Sequence, residues 1–222
     1  RTGRWFRRLG VAMTKVNPAW RLHISGETIT NPRRPYVVVS NHQSHADIPL
    51  ISHLPWEMKW LAKVELFKLP FVGWLLKLAG DIPVHRQDRR QGVVVLQTAA
   101  NYLRLKCSVM FFPEGTRSPD GKVHRFNEGG FRLAIKERVP ILPLAVEGSR
   151  GCLPKHGWKF GPPGDILLTV LPPIETAGLS VADTSALCEQ VRQLIIHQIA
   201  EWRNVPPEEV DALAVKTVEA TA

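Results

Sequence analysis

Cysteine is scarce in this chain. Only three cysteines occur among 222 residues, and Cys107, Cys152 and Cys188 lie far apart in the sequence. An odd number at these spacings excludes a disulfide framework and matches no metal-binding pattern. We therefore expect mostly buried thiols in a protein of a reducing compartment.

Long apolar runs are missing as well. No stretch of about 18 uncharged apolar residues occurs, so we expect no part of this sequence to span a bilayer. Residues 1–20 lack the apolar core of a signal peptide, and the start at Arg1 rather than methionine leaves an upstream membrane anchor open.

No internal repeat is visible in the sequence. A length of 222 residues with 44% hydrophobic content predicts one domain with a sizeable core.

Acidic residues are outnumbered by basic ones. The chain has 29 Lys and Arg against 20 Asp and Glu, a net charge of +9 at pH 7. This charge fits a merely soluble basic protein, and it also suits nucleic acid, anionic lipid or a phosphorylated substrate as partner. The arginines do not interleave with aromatic residues as in nucleic-acid-binding modules, so we expect no nucleic-acid partner.

The first 19 residues predict a basic amphipathic helix. Apolar residues recur there at spacings of three or four among arginines and lysines, at Trp5, Leu9, Met13 and Val16. Such a helix either lies in a membrane interface or packs on the domain as a terminal helix. The main domain is then expected at 20–203, followed by a C-terminal tail at 204–222 that forms a short helix or is disordered.

Strand-like and helix-like segments alternate through the main domain. The predicted strands are 20–25, 35–40, 57–62, 81–85, 107–112, 140–146 and 165–171, and the predicted helices are about 45–54, 64–79, 88–105, 127–137 and 180–203. Several of the strands are continuously apolar, as in a sheet that is covered on both faces. The pattern predicts a single-domain three-layer α/β/α fold with a mixed, largely parallel sheet of about seven strands.

Polar clusters follow four of the predicted strands. His42 to Asp47 come after strand 35–40, and Phe112 to Ser118 come after strand 107–112. Lys63 and Arg86 follow strands 57–62 and 81–85. Sites in open α/β sheets collect in crevices at the carboxyl ends of the strands. We therefore expect these clusters to form one site.

His42 and Asp47 are candidates for a base and its orienting carboxylate. Five residues of a straight helix turn about 500°, so two side chains at this spacing face different directions. The side chains of His42 and Asp47 therefore meet only if His42 lies in the loop before the helix, with Asn41 or Ser44 as cap. Asp47 would then accept from one imidazole nitrogen and leave the other free to take a proton. Two other interpretations stay open, a metal site of His42, His45 and Asp47 and a helix cap without chemistry.

No protein nucleophile lies in a recognisable motif. A Gly-x-Ser-x-Gly elbow is absent, and no cysteine sits in a motif, although a cysteine paired with His42 stays open. The turn FPEGTRS offers hydroxyls from Thr116 and Ser118, and Arg117 offers a fork of donors suited to phosphate. Taken alone, this segment fits an ordinary surface turn as well as a phosphate-binding one.

Four ordered blocks resemble those of the glycerolipid acyltransferase family, in particular the 1-acyl-sn-glycerol-3-phosphate (lysophosphatidic acid) acyltransferases. The blocks are NHQSHAD at 41–47, with its His-x4-Asp spacing, GDIPVHR at 80–86, FPEGTRS at 112–118 and VPILP at 139–143. His-x4-Asp alone is weakly specific, whereas four blocks in order are strongly specific. The resemblance covers about residues 20–175, and Asp81 in the second block departs from the family pattern.

The resemblance implies transfer of a fatty acyl group from acyl-CoA or acyl carrier protein to the free hydroxyl of a lysophospholipid, foremost 1-acylglycerol-3-phosphate. It implies His42 as general base and Asp47 as its partner. The substrate-binding residues that it implies are Lys63, Arg86, Glu114, Gly115, Thr116 and Arg117. Glu114 would orient Arg117 or an acceptor hydroxyl, and a backbone N–H near Lys63 or Gly115 would stabilise the oxyanion. No metal and no cofactor is expected, because the thioester already carries the activation.

The acceptor is a membrane lipid, so the resemblance also implies association with the cytoplasmic face of a membrane, expected to be the bacterial inner membrane. The docking candidates are the N-terminal helix and the apolar run Leu69–Leu76, for which a buried helix is the simpler interpretation.

Two alternatives to the proposed activity remain. One is another acceptor, such as glycerol-3-phosphate, another lysophospholipid or lyso-ornithine lipid, and the other is a metal-dependent hydrolase that uses His42, His45 and Asp47.

Overall fold

A seven-stranded sheet forms the centre of the fold. The computed structural model describes residues 2–16, 20–31, 33–85, 89–152 and 161–214. Its strands are β1 (Trp20–Gly26), β2 (Val37–Ser40), β3 (Met58–Lys63), β4 (Ile82–Val84), β5 (Ser108–Phe111), β6 (Ile141–Glu147) and β7 (Gly164–Val170). Its helices are α1 (Thr2–Val16), α2 (Asp47–Ile51), α3 (Val72–Ala79), α4 (Arg89–Arg104), α5 (Gly129–Glu137), α6 (Ser149–Cys152), α7 (Thr184–Arg203) and α8 (Pro207–Val210), with 3₁₀ turns at Val64–Lys68 and Val181–Asp183.

The strands are arranged in the order β1-β7-β6-β2-β5-β3-β4. Every neighbouring pair is parallel except β6 and β7, which are antiparallel. The prediction of a mixed, largely parallel sheet of about seven strands is confirmed. Strand β2 lies in the middle of the sheet, and its four residues are all buried, which explains why it reads as a continuous apolar run.

Helices cover both faces of the sheet. Val37 and Val39 of β2 point into one core with Phe131 of α5 and Ile195 of α7. Val38, between them, points into the other core, which lies beside α2. This alternation follows from the period of two along a strand, and it produces the predicted three layers.

The predicted helix 64–79 is wrong as a single element. It is divided into the 3₁₀ turn Val64–Lys68 and helix α3, which begins two residues after Pro70. The residue before a proline is disfavoured in helical conformation, so a helix ends there. Gly73 follows the break, and a Cβ at this position would lie 2.2 Å from the carbonyl oxygen of Phe67. The close approach of the two backbone segments therefore requires glycine.

Helix α1 packs against α2 and α3, while residues 1 and 17–19 of the predicted segment 1–19 lie outside the described residues. Arg7 donates to both carboxylate oxygens of Asp81, at 2.6 Å to Oδ1, and Oδ1 also accepts the backbone N–H of Trp60 at 3.0 Å. Burial raises the pKa of Asp81, and the charge of Arg7 opposes that shift. Asp81, which departs from the family pattern, thus anchors α1 to the sheet.

The start of the C-terminal tail is folded. Helix α8 is followed by Asp211, whose carboxylate accepts from the buried guanidinium of Arg192 at 2.8 Å. The prediction left a short helix or disorder open from residue 204 onward, and the structure shows the helix, while residues 215–222 lie outside the described residues. Within the part of the chain that the structure describes, no helix combines the length and the apolar character that crossing a bilayer requires.

Candidate active site

The polar clusters lie along one edge of the sheet. Strands β2, β5, β3 and β4 are consecutive neighbours and all run in parallel, so the residues after them meet at their carboxyl ends. This places His42, the segment Phe112–Ser118 and Lys63 at the same edge. Arg86 lies outside the described residues.

His42 and Asp47 are in contact. The Nδ1 atom of His42 lies 2.8 Å from Oδ2 of Asp47, because His42 sits in the loop before α2 and Asp47 is the first residue of that helix. The same Oδ2 accepts the backbone N–H groups of Gln43 at 2.8 Å and Ser44 at 3.0 Å. A carboxylate accepts from Nδ1 only when Nδ1 carries a proton, so in the neutral imidazole the lone pair is on Nε2. Among the described residues, none is hydrogen-bonded to Nε2.

Asn41 holds the start of residues 41–47, which we call the catalytic loop after the role predicted for His42. Its side chain donates to the carbonyl oxygen of Val146 at 2.8 Å and accepts the N–H of Val146 at 2.9 Å. Of the two predicted caps, Asn41 and Ser44, Asn41 does not bind the start of α2. The carboxylate of Asp47 instead binds the loop N–H groups, while the hydroxyl of Ser44 accepts the N–H of Ala46 at 3.2 Å.

Phe112 stacks on the imidazole of His42. The two rings are 3.9 Å apart at their centroids, with an interplanar angle of 18°. A cationic imidazolium over the face of an aromatic ring is stabilised by the ring's quadrupole. No separate role was predicted for Phe112. Its position at the end of a strand that neighbours the strand before His42 could have indicated this ring contact.

The turn Phe112–Ser118, called the arginine turn below, is bonded to the catalytic loop. The N–H of Ser118 donates to the carbonyl oxygen of His42 at 2.7 Å. Gly115 has a φ of 73°, a conformation that glycine adopts without steric cost. Its own N–H donates to the carbonyl oxygen of Phe112 at 3.0 Å, and the prediction of an oxyanion donor near Lys63 or Gly115 stays a prediction. Thr116 is exposed on the same turn.

Arg117 and His45 are electrostatic neighbours. Partial desolvation of the ring is the main cause that lowers the pKa of His45, and the positive charge of Arg117 is the next. An imidazole with a lowered pKa is neutral at pH 7. Arg117 is half-buried, and its charge acts on the ring of His45.

Glu114 joins the catalytic loop to the segment after the arginine turn. Its Oε1 accepts the backbone N–H of His42 at 2.8 Å, and its Oε2 accepts the backbone N–H of His124 at 3.2 Å. Burial raises the pKa of Glu114 to about 7, and the two backbone hydrogen bonds oppose the shift. The hydrogen bonds of Glu114 hold the backbone of His42 and His124, and its predicted role in orienting Arg117 or an acceptor hydroxyl stays a prediction.

The raised pKa of Glu114 predicts a pH-dependent stability. Between the unfolded value of about 4.5 and the folded value of about 7, the native state holds a proton that the unfolded chain has lost. The stabilisation is complete below the lower pKa and is lost as pH rises through the upper one, a change of roughly 3 kcal/mol in the free energy of unfolding. Urea titrations at pH 5 and pH 8 should show this change in the wild type relative to Glu114→Gln. A difference between the two proteins that is the same at both pH values would contradict it.

Lys63 lies at the end of β3 with its side chain about half exposed. Its Nζ atom is 3.6 Å from Oε1 of Glu65. The prediction placed it on the substrate side of the site, and the structure places its strand beside β5, next to the arginine turn.

The three side chains of the metal interpretation do not converge. His42, His45 and Asp47 are all described, and no group of three or more His, Cys, Asp or Glu side chains suited to a metal ion occurs among the described residues. His45 is exposed, whereas Asp47 is fully buried.

The cysteines have the character of buried structural thiols. All three are free, with Cys152 and Cys188 buried and Cys107 half-buried. Burial raises the pKa of Cys152 to about 11 and that of Cys188 to about 12, and it also raises the pKa of Cys107. The thiolate is the nucleophilic form, so these shifts argue against a cysteine paired with His42.

Comparison with known proteins gives a consistent result. The sequence model of a family described as Acyltransferase matches residues 21–147. A 1-acyl-sn-glycerol-3-phosphate acyltransferase of Chlamydomonas reinhardtii is 33% identical over 89% of this chain and 57% of its own length. One from Pseudomonas aeruginosa is 31% identical over 87% of this chain and 75% of its own length.

A solved structure has the same fold. The crystal structure of PlsC, the 1-acyl-sn-glycerophosphate acyltransferase of Thermotoga maritima, superposes with a TM-score of 0.78 at 30% identity, covering 90% of this chain and 79% of PlsC. The chain spans between about half and two thirds of the length of several other relatives that it matches, such as 51% of a chloroplast acyltransferase of Arabidopsis thaliana.

Proposed function

The chain belongs to the acyltransferase family, and on that premise we propose that it transfers a fatty acyl group from a thioester to the free hydroxyl of a lysophospholipid. The proposed acceptor is 1-acylglycerol-3-phosphate, and the product is phosphatidic acid. The donor is acyl-CoA or acyl carrier protein, either of which suits the net charge of +9 because both are anionic. No metal or cofactor is needed in this proposal.

One observation carries the proposal. The imidazole of His42 is held by Asp47 at 2.8 Å through Nδ1, so that its basic Nε2 is left to accept a proton, and the arginine turn is bonded to the same residue. A hydroxyl is a poor nucleophile at neutral pH and needs a base within hydrogen-bond reach. A base beside a cationic turn is the arrangement that a phosphorylated alcohol requires.

The proposed reaction uses this pair in two steps. Nε2 of His42 takes the proton of the acceptor hydroxyl while the hydroxyl oxygen attacks the thioester carbonyl carbon. The tetrahedral intermediate then expels the thiolate, which receives the proton from the imidazolium, and the products are an ester and a free thiol. The carboxylate of Asp47 stabilises the imidazolium in between, and the ring of Phe112 lies against it. We assign the oxyanion to a backbone N–H near Lys63.

The acceptor phosphate is assigned to the cationic residues of this edge. Arg117 offers a planar fork of donors that fits a phosphate, and its turn is fixed to His42 through Ser118. Lys63 contributes a mobile charge from the neighbouring strand. Arg86 and the exposed Thr116 complete the proposed set.

An acceptor panel tests the proposal. The purified protein is incubated with labelled acyl-CoA and, separately, labelled acyl carrier protein, together with 1-acylglycerol-3-phosphate, glycerol-3-phosphate, a neutral lysophospholipid or lyso-ornithine lipid. We expect labelled phosphatidic acid as the main product, with equal rates with and without chelator. Release of free fatty acid that stops with chelator would instead support the metal-dependent hydrolase.

Arg117→Ala is expected to raise the KM for the phosphorylated acceptor by about ten- to a hundredfold, since hydrogen bonds to charged groups are worth about 1.5–3 kcal/mol. The KM for the donor should change little. The matched control is Arg132→Ala, which removes an exposed arginine that pairs with Glu128 on α5. An acceptor KM that stays at the wild-type value in Arg117→Ala would rule out contact with the phosphate.

We also propose that the protein docks on a membrane through an apolar patch, defined as Trp5, Leu9, Phe71, Trp74 and Leu78. These side chains are 52–73% exposed, and they belong to α1 and the α3 region, which pack against each other. The simpler interpretation of Leu69–Leu76 as a buried helix is therefore wrong. Helix α1 also packs on α2, whose first residue is Asp47, so one of the two elements that carry the patch contacts the helix that begins with the proposed partner of the base.

The backbone at Phe71 supports a role for its exposed ring. Phe71 has a φ of 60°, a conformation that is an outlier for a bulky side chain. Its ring is 73% exposed and lies edge-on to Trp74 at 5.9 Å. Strain of this kind concentrates at functional positions, and here it holds two aromatic rings outward at the start of α3.

Trp74→Ser is expected to weaken partition into anionic vesicles by about tenfold or more, because burying a large apolar side chain is worth about 1.5–3 kcal/mol. The matched control is Leu105→Ser, which removes a 75% exposed side chain outside the patch. Sedimentation with vesicles that contain anionic lipid measures the effect. Equal partition of wild type, Trp74→Ser and Leu105→Ser would refute docking through the patch.

A further inference from the structure

Arg203, the last residue of α7, reaches the candidate active site. Its Nη2 donates to Oε2 of Glu147 at 2.7 Å and to the carbonyl oxygen of Gly121 at 2.8 Å. Glu147 ends β6, and Gly121 belongs to the segment that follows the arginine turn. Arg203 lies well beyond residues 21–147, which the family model matches, and no sequence motif pointed to it.

The antiparallel strand β7 explains how α7 arrives there. Because β7 runs against β6, the chain leaves the sheet at the edge opposite to His42, where Ile174 pairs with Ile141. Helix α7 then crosses the sheet in the other direction and ends at Glu147, at the carboxyl end of β6. In a wholly parallel sheet, a helix after the last strand would end at the far edge.

The contact continues into the catalytic loop. The side chain of Gln43 donates from Nε2 to the same Oε2 of Glu147 at 3.0 Å. Gln43 is buried and is the residue next to His42, and its N–H donates to Asp47. Glu147 therefore receives one hydrogen bond from α7 and one from the catalytic loop.

The second contact of Arg203 continues into the arginine turn. The N–H of Gly121 donates to the hydroxyl oxygen of Ser118 at 2.9 Å, and Ser118 is the residue after Arg117. The same segment is also bonded to the C-terminal region, because the N–H of Val123 donates to the carbonyl oxygen of Val210 at 2.9 Å. Arg203 is thus linked through Glu147 to Gln43, the residue after His42, and through Gly121 to Ser118, the residue after Arg117.

We infer that Arg203 is a positioning residue for the proposed acyl transfer: it fixes the catalytic loop through Glu147 and Gln43, and the arginine turn through Gly121. This inference rests on the proposed function. Arg203 would act on geometry. Its guanidinium bridges a carboxylate and a carbonyl, and so it sets the distance between two loops whose side chains must bind one substrate. Misplacement of catalytic groups by about 1 Å can cost about 10²-fold in rate.

The test compares Arg203→Met and Arg203→Lys with Arg104→Met. Arg104 is the matched control because it also ends a helix and pairs with a glutamate, Glu137 at 2.7 Å, away from the catalytic edge. Arg203→Met should lower kcat by about tenfold with little change in either KM, Arg203→Lys should recover part of the loss, and Arg104→Met should match the wild type. Glu147→Gln combined with Arg203→Met should lower kcat by less than the product of the two separate losses, since the two side chains share one contact.

Hydrogen–deuterium exchange gives a readout that does not depend on turnover. Arg203→Met should exchange faster than wild type in peptides covering 41–47 and 118–124, and equally in peptides covering α4. Wild-type exchange in both segments, or faster exchange with an unchanged kcat, would overturn the inference. Failure of the proposed function would show itself separately, as a wild-type protein that transfers no acyl group.

Discussion

His42→Ala is expected to lower kcat for acyl transfer by about 10²–10⁴-fold, the usual range for the loss of a general base. The neighbouring His45 is not expected to replace it, because among the described residues its ring, unlike that of His42, has no hydrogen bond to a carboxylate, and Asp47 is fully buried. The KM values should change less, since a proton acceptor acts mainly in the transition state. Initial rates with labelled donor at saturating acceptor measure the effect.

The structure of His42→Ala should be preserved. Oδ2 of Asp47 keeps the N–H groups of Gln43 and Ser44, so the catalytic loop retains its anchor. The matched control is His23→Ala, which removes the histidine of an exposed pair with Asp165 at 2.9 Å on strand β1. A thermal midpoint near that of the wild type, with full activity in His23→Ala, isolates the effect at His42. Turnover within a few-fold of the wild type in His42→Ala would contradict its role as base.

Asp47→Asn is expected to lower kcat by about 10²–10³-fold by removal of charge alone. Three N–H donors point at Oδ2, so the amide oxygen must take that position and the amide nitrogen must take the other. The ring of His42 then keeps its tautomer and orientation. What is lost is the attraction between carboxylate and imidazolium, worth up to about 4 kcal/mol at 4 Å and an effective dielectric constant of about 20.

Asp47→Ala separates charge from anchoring. It removes the acceptor of three hydrogen bonds as well as the charge, and each buried donor left without a partner costs about 1–3 kcal/mol. Its free energy of unfolding should therefore fall well below that of Asp47→Asn, while its kcat should be equal or lower. Activity of Asp47→Asn near the wild-type level, together with a stable fold, would show that the carboxylate charge plays no part in catalysis.

The edge of the sheet where the site forms was predictable from sequence. Continuous apolar runs marked the buried strands, and the carboxyl ends of parallel strands must meet on one side. The need for His42 to lie in a loop also followed from helix geometry, and the observed contact with Asp47 agrees with it. The catalytic and binding roles of these residues remain predictions.

The connections between loops were not predictable. The contacts from Asn41 to Val146 and from Arg203 to Glu147 join residues more than 50 positions apart, and no local pattern marks such pairs. Glu114 shows the same problem, because its motif predicts a role toward substrate while its oxygens bind backbone N–H groups. The break of helix 64–79 is different, since Pro70 was a visible signal.

The most direct test of the account is whether the acyl group ever becomes attached to the protein. In the proposed mechanism His42 accepts a proton and does not attack the thioester, so labelled donor without acceptor should release no free thiol beyond slow hydrolysis and should leave no label on the denatured protein. Addition of 1-acylglycerol-3-phosphate should then start thiol release and ester formation together. A burst of thiol equal to the enzyme concentration before the acceptor is added, with label retained on a residue of the site, would contradict the mechanism.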